Sequence, residues 1–415
     1  MRRSGAWYDY YADYSAHFVE DILAHLAIPQ TAIVLDPWNG SGTTTQVAED
    51  KGLLAFGYDI NPVMIIVARA RRLDPDFSIN LSGLCNDVIK KAVQHKHRYE
   101  LNHDPLRTWL SDRSVCVIRN IECAIQSLLL DQAYTPICKL VDYDKVNSLV
   151  SAFYTSLFQT VRNLLRPFQA SNPTWIKEPK TSTEIADIDA DKIFEVFRGY
   201  IRGTIQLLES RRLKRTNTTN NPIINVASSM DIPMRDAEAT VVISSPPYCT
   251  RIDYAVATKP ELAVLGYSQE EVSSLRNRII GTTTIFNKDI TASISWGETC
   301  NSFLSSVYRH GSKASNTYYY RNFLQYFNSM YRSVKEINRV MSSDGICVLV
   351  VQDSYYKDIH NDLPQIFVEF AMEFKWKLFI REDYPIDRTM AGINRQAKRY
   401  RSSSSAVESV LVFHK

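Results

Sequence analysis

Four consecutive residues, Ser245-Pro246-Pro247-Tyr248, carry the most specific chemistry in this sequence. They follow the apolar run Val241-Val242-Ile243-Ser244, which reads as a buried strand. Two prolines fix φ and remove two N–H donors, so the serine hydroxyl and the Pro246 carbonyl stand rigidly at the strand end. An aromatic ring follows at once. This arrangement suits reaction at the exocyclic amino nitrogen of a nucleobase. The lone pair of that nitrogen is delocalised into the ring, and it must gain sp3 character to attack a methylsulfonium in line. Two fixed acceptors for its two hydrogens favour that geometry. Tyr248 is placed to stack on a base extruded from the duplex, because a stacked base cannot reach a methyl donor. Ser245, Pro246, Pro247 and Tyr248 are the candidate catalytic residues. Cys249, next in line, reads as a small packing residue, because the tetrapeptide is complete without a nucleophile.

A second group lies far upstream. The run Ala32–Leu35 is too short for a helix and reads as a strand, ending at Asp36-Pro37 and the loop Trp38-Asn39-Gly40-Ser41-Gly42-Thr43-Thr44. Its glycines let the backbone approach a ligand closely. Asp36 can hold a cation or a ligand amine. A second strand, Leu53–Tyr58, ends at Asp59, which is placed to accept two ribose hydroxyls. By themselves these features describe a generic nucleotide site, shared in logic with NAD enzymes. No GK[ST] follows, which excludes a Walker loop.

The elements that must position these residues alternate. Residues 14–27 read as an amphipathic helix, and Pro62 opens another that carries Met64, Ile65, Ile66 and Ala68. Further strands are expected at Ile223–Val226, Thr240–Ser244, Ile346–Val351, Trp376–Arg381 and Val407–Phe413, with helices around Phe323–Ile337 and 362–374. Strands alternating with helices predict a parallel, doubly wound α/β sheet of seven strands. In such a sheet, ligands bind at the carboxyl ends of the strands. Between 75 and 221 apolar residues recur every three or four, as in Val146, Leu149, Val150, Phe153 and Leu157, so a helical insertion is expected there. A second, irregular and polar insertion is expected over 255–321.

Composition sets outer bounds. The chain has 415 residues and 45% apolar residues, enough for a large core with insertions. Its net charge is only +3, so any nucleic-acid affinity must come from local patches. Seven scattered cysteines without a CxxC pair argue against a disulfide framework and a zinc ribbon. Together with the absence of a signal-like or membrane-length apolar run, they suggest a soluble, cytoplasmic protein. Eight histidines form no HxxxH or HExxH pattern, and no metal is expected.

Residues 36–44, DPWNGSGTT, resemble motif I of the amino-methyltransferases that modify DNA, with Trp38 where Phe is usual. Residues 57–62, GYDINP, are similar to the motif II strand end, and Ser245–Tyr248 to motif IV, [DNS]PP[YFW]. The serine form is more typical of N4-cytosine enzymes and the aspartate form of N6-adenine enzymes. The resemblance covers roughly half the chain and none of the insertions. It implies a seven-stranded Rossmann-like class I methyltransferase sheet over 1–74, 222–254 and 322–415, with S-adenosyl-L-methionine (AdoMet) as cofactor and double-stranded DNA as partner. AdoMet would lie on Asp36, Trp38, Gly40, Ser41, Gly42, Thr43, Thr44, Asp59, Ile60 and Ser229. The sequence departs from the family after the third strand, where Ser228-Ser229 stand in place of Gly-Asp and Asp231 follows two residues on.

DNA backbone contact is expected from Arg388, Arg395, Lys398, Arg399 and Arg401, five cations without an acid before the last strand. Arg211-Arg212-Lys214-Arg215 is a second basic cluster. Arg251, in the run Arg251-Ile252-Asp253-Tyr254, either lines the base pocket or forms an ion pair that shapes the loop. Target recognition is expected from 75–221 or from 255–321. The function expected is N4-cytosine methylation of DNA, with restriction or other defence proteins as candidate partners. The alternatives are N6-adenine methylation, RNA base methylation, which the short stretch before the first strand disfavours, and a catalytically silent nucleic-acid-binding subunit.

Overall fold

The computed structural model describes Tyr8 and residues 15–95, 101–140, 145–170, 175–212, 220–249, 252–286, 289–386 and 406–415. Its centre is one seven-stranded sheet. The strands are β1 (Ile33–Asp36), β2 (Leu54–Asp59), β3 (Ile223–Val226), β4 (Ala239–Ser244), β5 (Met341–Gln352), β8 (Lys377–Ile386) and β9 (Ala406–His414). A separate hairpin, β6 (Ser354–Tyr356) and β7 (Ile359–Asn361), interrupts the count after β5. The strand order is β3-β2-β1-β4-β5-β9-β8. This is a Rossmann-like α/β sheet.

All seven expected strands are present. Six of them run in one direction, but β9 lies antiparallel to both its neighbours, β5 and β8, so the sheet is mixed rather than parallel throughout. A parallel neighbour needs a crossover, usually helical, whereas antiparallel strands can follow one another directly.

α1 (Ala16–His25), capped by Ser15, packs on α2 (Thr43–Asp50) at one face of the sheet. α3 (Pro62–Arg71) opens with Asn61, whose side chain accepts from the Val63 N–H, and every residue from Pro62 to Ala70 is buried. A surface helix would keep one polar stripe. α3 has none because the insertion covers it. α4 (Leu81–Gln94), α5 (Asp112–Leu129), α6 (Ser148–Leu164) and α7 (Ala190–Arg212) share one apolar cluster with α3.

Residues 255–321 are not irregular. They contain α9 (Lys259–Val264), α10 (Gln269–Arg278) and α11 (Gly297–Arg309), following the short α8 (Tyr254–Ala257). α9 and α10 are brief, which hides their period in the sequence; α10 is held by a capping box between Ser268 and Glu271. The segment divides between two cores. α8 to α10 join the cluster of the helical insertion, where the buried Glu261 pairs with Arg162 at 2.5 Å and accepts from the Tyr8 hydroxyl at 2.6 Å. α11 packs with α12 (Tyr320–Val340) and α13 (Leu363–Glu373) on the other face of the sheet. Among the described residues, no helix is long and apolar enough to cross a membrane.

Candidate active site

Parallel pairing brings the carboxyl ends of β1, β2, β3 and β4 to one edge, and each end delivers a residue singled out by sequence. Asp36 closes β1, Asp59 closes β2, Ser228-Ser229 follow β3 and Ser244-Ser245 end β4. One cleft collects Pro37 to Ser41, Thr43, Asp59 to Asn61, Ser228, Ser229 and Ser245 to Tyr248. Tyr254, Arg278, Ile279 and Ile280 complete its wall. Its empty space, open to solvent on one side, is about 860 Å³.

The loop after β1 is shaped by close approach. Gly42 has φ +85, and a Cβ there would lie 2.8 Å from the Ala68 Cβ on α3. At Gly57 a Cβ would lie 2.6 Å from Asn39 Cγ, so the Asn39 carboxamide rests directly on β2. The Gly40 N–H donates to Asp59 Oδ2 at 3.0 Å, and the Asn61 N–H to Asp59 Oδ1 at 2.8 Å. One carboxylate thereby orders both ligand loops. Burial pushes the Asp59 carboxyl up to about 6, against the opposing pull of these two N–H bonds, and Asp36 adds to the rise.

Asp36, Gly42 and Thr44 do not line the cleft but stand behind its wall. Asp36 is buried, and its Oδ1 accepts from Ser244 Oγ at 2.5 Å and the Trp38 N–H at 3.1 Å. The Thr44 hydroxyl, fully buried, donates to the Ile243 carbonyl at 3.4 Å. These contacts clamp the loop after β1 to the end of β4, which carries Ser245. Arg71 works from the other side, donating to the Ser41 and Thr43 hydroxyls at 3.0 and 2.7 Å.

The tetrapeptide is held by its neighbours. Ser245 Oγ donates to the Val350 carbonyl at 3.1 Å, which leaves its lone pairs to accept. Tyr326 on α12 donates to the Pro247 carbonyl at 2.8 Å. No described residue donates to the Pro246 carbonyl. Cys249 lies 8% exposed beside Asn361, outside the cleft wall, and burial pushes its thiol far up.

Several wall residues escaped the sequence reading. Asn39 occupies the variable position between Trp38 and Gly40, where no pattern marks it. Asn61 comes with the end of β2, two residues past Asp59, whereas Arg278, Ile279 and Ile280 arrive through tertiary packing alone. Tyr254 lies in the run flagged for the base pocket, but its neighbour Asp253 pairs with Arg276 at 2.5 Å. Arg251, Arg388, Arg395, Lys398, Arg399 and Arg401 lie outside the described residues, as do Lys214 and Arg215. Ile386 and Ala406, the described residues on either side of 387–405, pair at the same sheet edge as the cleft. Arg211 and Arg212 are engaged within the chain, by Asp50 at 3.7 Å and Asp76 at 3.3 Å.

The wall suits AdoMet. Trp38 Nε1 and Asn39 Nδ2 are buried nitrogens without a hydrogen-bond partner among the described residues, and both residues face the cleft. Buried donors are normally paired, so these two await acceptors from a ligand. Asp59 offers acceptors for hydroxyls. A ligand with a carboxylate and a ribose meets both demands.

No protein-family model matches the chain. It is 22% identical over 288 residues to the type II methyltransferase M.BsoBI of Geobacillus stearothermophilus, covering 67% of this chain and 55% of that protein. The chain thus spans about half the length of M.BsoBI. It is 22% identical over 391 residues to the type II methyltransferase M.AvaI of Nostoc sp., covering 88% of this chain and 78% of that one. The type II methyltransferase M.MvaI of Kocuria varians is 21% identical over 350 residues, with 80% and 72% covered. Two solved structures, a SAM-dependent methyltransferase of Methanosarcina mazei and the YcgJ protein of Bacillus subtilis, align with TM-score 0.33 and 7% identity. They cover 95% and 96% of this chain, which in turn covers 96% and 98% of theirs. In sequence, this chain is similar to type II methyltransferases, a likeness that supports the DNA methyltransferase family to which its motifs point.

Proposed function

We propose that the chain is an AdoMet-dependent DNA methyltransferase acting on an exocyclic amino group, with cytosine N4 as its target. The observation that carries this reading is the single cleft that joins Trp38 to Ser41, Asp59 and Ser245 to Tyr248. AdoMet supplies an electrophilic methyl group on a sulfonium. Asp59 accepts the ribose hydroxyls, while Trp38 and Asn39 donate to the methionine end. Ser245, with its own hydrogen committed to Val350, and the Pro246 carbonyl accept the two amino hydrogens and draw the nitrogen toward sp3 geometry. The nitrogen forms one bond to the methyl carbon, the sulfonium becomes a thioether, and one proton leaves the amino group. Tyr248 stacks on the flipped base, and orientation supplies most of the rate. Cytosine is preferred to adenine on Ser245 alone. The type II likeness supports a place beside a restriction nuclease.

The test is transfer of labelled methyl from AdoMet to DNA and to RNA, followed by nucleoside mass spectrometry. N4-methylcytosine is expected. N6-methyladenine would move the target to adenine, and label in RNA alone would overturn the DNA reading. AdoMet binding without transfer to any substrate would favour a silent subunit.

A further inference from the structure

A second groove, with about 890 Å³ of empty space, opens beside the first across the ridge Ile279-Ile280. Ser228 and Arg278 border both. One wall is a stripe of α12, where Gln325, Asn328, Ser329 and Arg332 follow one another at helical spacing. Phe323, Phe327, Met330 and Val334 turn the opposite stripe of α12 into the core. The facing wall, residues 282–286, is tied to α12 and the turn before it: Tyr318 Oη, two residues ahead of α12, donates to the Thr283 carbonyl at 2.7 Å, and Asn322 Nδ2 to the Thr282 carbonyl at 2.9 Å. Gln325 Nε2 adds a bond to the Thr284 carbonyl at 3.0 Å. The groove is therefore preformed.

No Asp or Glu lines it among the described residues. Arg278 and Arg332 do, and neither guanidinium makes a hydrogen bond or ion pair with a described residue. The same is true of the carboxamides of Asn277 and Asn328 at its rim. Elsewhere on the same two helices, cations are paired: Arg276 with Asp253 at 2.5 Å, and Arg339 with Glu336 at 2.6 Å. Two guanidiniums bordering one acid-free groove give it a positive field that favours an anion. Their planar forks match a phosphate.

We infer that this groove holds a phosphodiester of the nucleic-acid strand that carries the target base, gripped by Arg278 and Arg332. The inference rests on the nucleic-acid reading above. The Ile279-Ile280 ridge separates base from backbone: the base enters the first cleft and the strand runs over the ridge into the second. Arg332 lies outside the first cleft, so its contact is to phosphate alone.

The experiment is the binding of a labelled mixed-sequence duplex, measured from 20 to 200 mM salt on wild type, Arg332→Met, Arg278→Met/Arg332→Met and, as a charge-matched control, Lys335→Met. Each phosphate contact contributes about 0.9 to the slope of log affinity against log salt. Arg332→Met lowers the slope by about 0.9 and the double variant by about 1.8, while Lys335→Met leaves it within about 0.3. AdoMet affinity and melting temperature stay unchanged in Arg332→Met, since that side chain touches neither core nor cleft. Equal slopes in wild type and the arginine variants, or an equal loss in Lys335→Met, would overturn the groove and leave the enzyme reading standing. Inorganic phosphate bound by wild type but not by Arg332→Met, with DNA slopes unchanged, would make it a free-anion site and overturn the strand contact. A wild type that binds AdoMet but no DNA would overturn the nucleic-acid reading and this inference with it.

Discussion

Replacing Asp59 with Asn tests the cofactor site through a single proton. The Asp59 carboxyl stands at about 6 against 3.8 for the free group, because burial outweighs the two N–H bonds it accepts. At about 1.4 kcal/mol per pH unit, the fold carries roughly 3 kcal/mol of ionisation cost at this residue. For a carboxyl with a raised pKa, the contribution to stability is fully present below 3.8 and is lost as pH rises through about 6. Cofactor binding has the opposite sign. Ribose hydroxyls donating to Asp59 favour its charged form, so AdoMet affinity strengthens as pH rises, and binding expels the proton. At pH 6 about half the molecules carry that proton, so about half a proton leaves per AdoMet bound. Between pH 7 and pH 5 the ionised fraction falls about tenfold, and affinity falls with it. Asp59→Asn has no proton to release. It also turns an amide donor toward the Gly40 or Asn61 N–H. Loss of the charged hydrogen bonds costs about 1.5–3 kcal/mol, roughly 10- to 150-fold in affinity. Isothermal titration calorimetry at pH 6, in two buffers of different ionisation enthalpy, counts the proton. The ligand's own groups contribute equally in both proteins and cancel. Equal proton release in wild type and variant, or a variant affinity within twofold of wild type, would refute the placement of the ribose on Asp59.

Ser245→Ala removes one of two acceptors for the amino group and is expected to lower kcat about 100-fold, while equilibrium dialysis finds AdoMet affinity changed by less than about threefold. Cys249→Ser keeps methyl transfer within about twofold of wild type, because the thiol is buried outside the cleft and held protonated; complete loss of transfer would overturn the amino-group mechanism. Gly42→Ala places a methyl group 2.8 Å from the Ala68 Cβ at a left-handed φ of +85, and the combined overpacking and backbone strain of about 2–4 kcal/mol should appear as a lower melting temperature in calorimetry.

The strands and the candidate site residues were legible because their signals are local. Short apolar runs such as Val241–Ser244 are buried on both faces of the sheet and need no partner to be recognised. Pro246-Pro247 and the glycines around Ser41 constrain the backbone wherever they occur. Two helices of 255–321 were not legible: α9 is buried on almost every side, and α10 has an amphipathic period too brief, beneath a polar outer face, to stand out from a loop. α11 is longer, at 13 residues, and its buried Cys300, Phe303, Leu304 and Val307 carry a helical spacing that is legible in the sequence. The antiparallel β9 was missed because strand direction depends on which connection the chain can make, and an apolar run carries no arrow.

The same division holds at the site. Sequence alone marked the candidate site residues: Asp59, the Trp38–Thr44 loop and Ser245 to Tyr248, each at the end of a recognisable strand. Tertiary structure decided which of them line the cleft. Asp36, Gly42 and Thr44 sit one layer behind the wall, where Ser244, Ala68 and Ile243 meet them. Arg278 and the Ile279-Ile280 ridge reach the cleft although no local pattern marks them. The physical reason is range. Backbone constraint and burial preference act within a few residues, whereas a cleft wall is assembled from segments more than 200 positions apart, and only sheet register and helix packing bring their side chains to one surface.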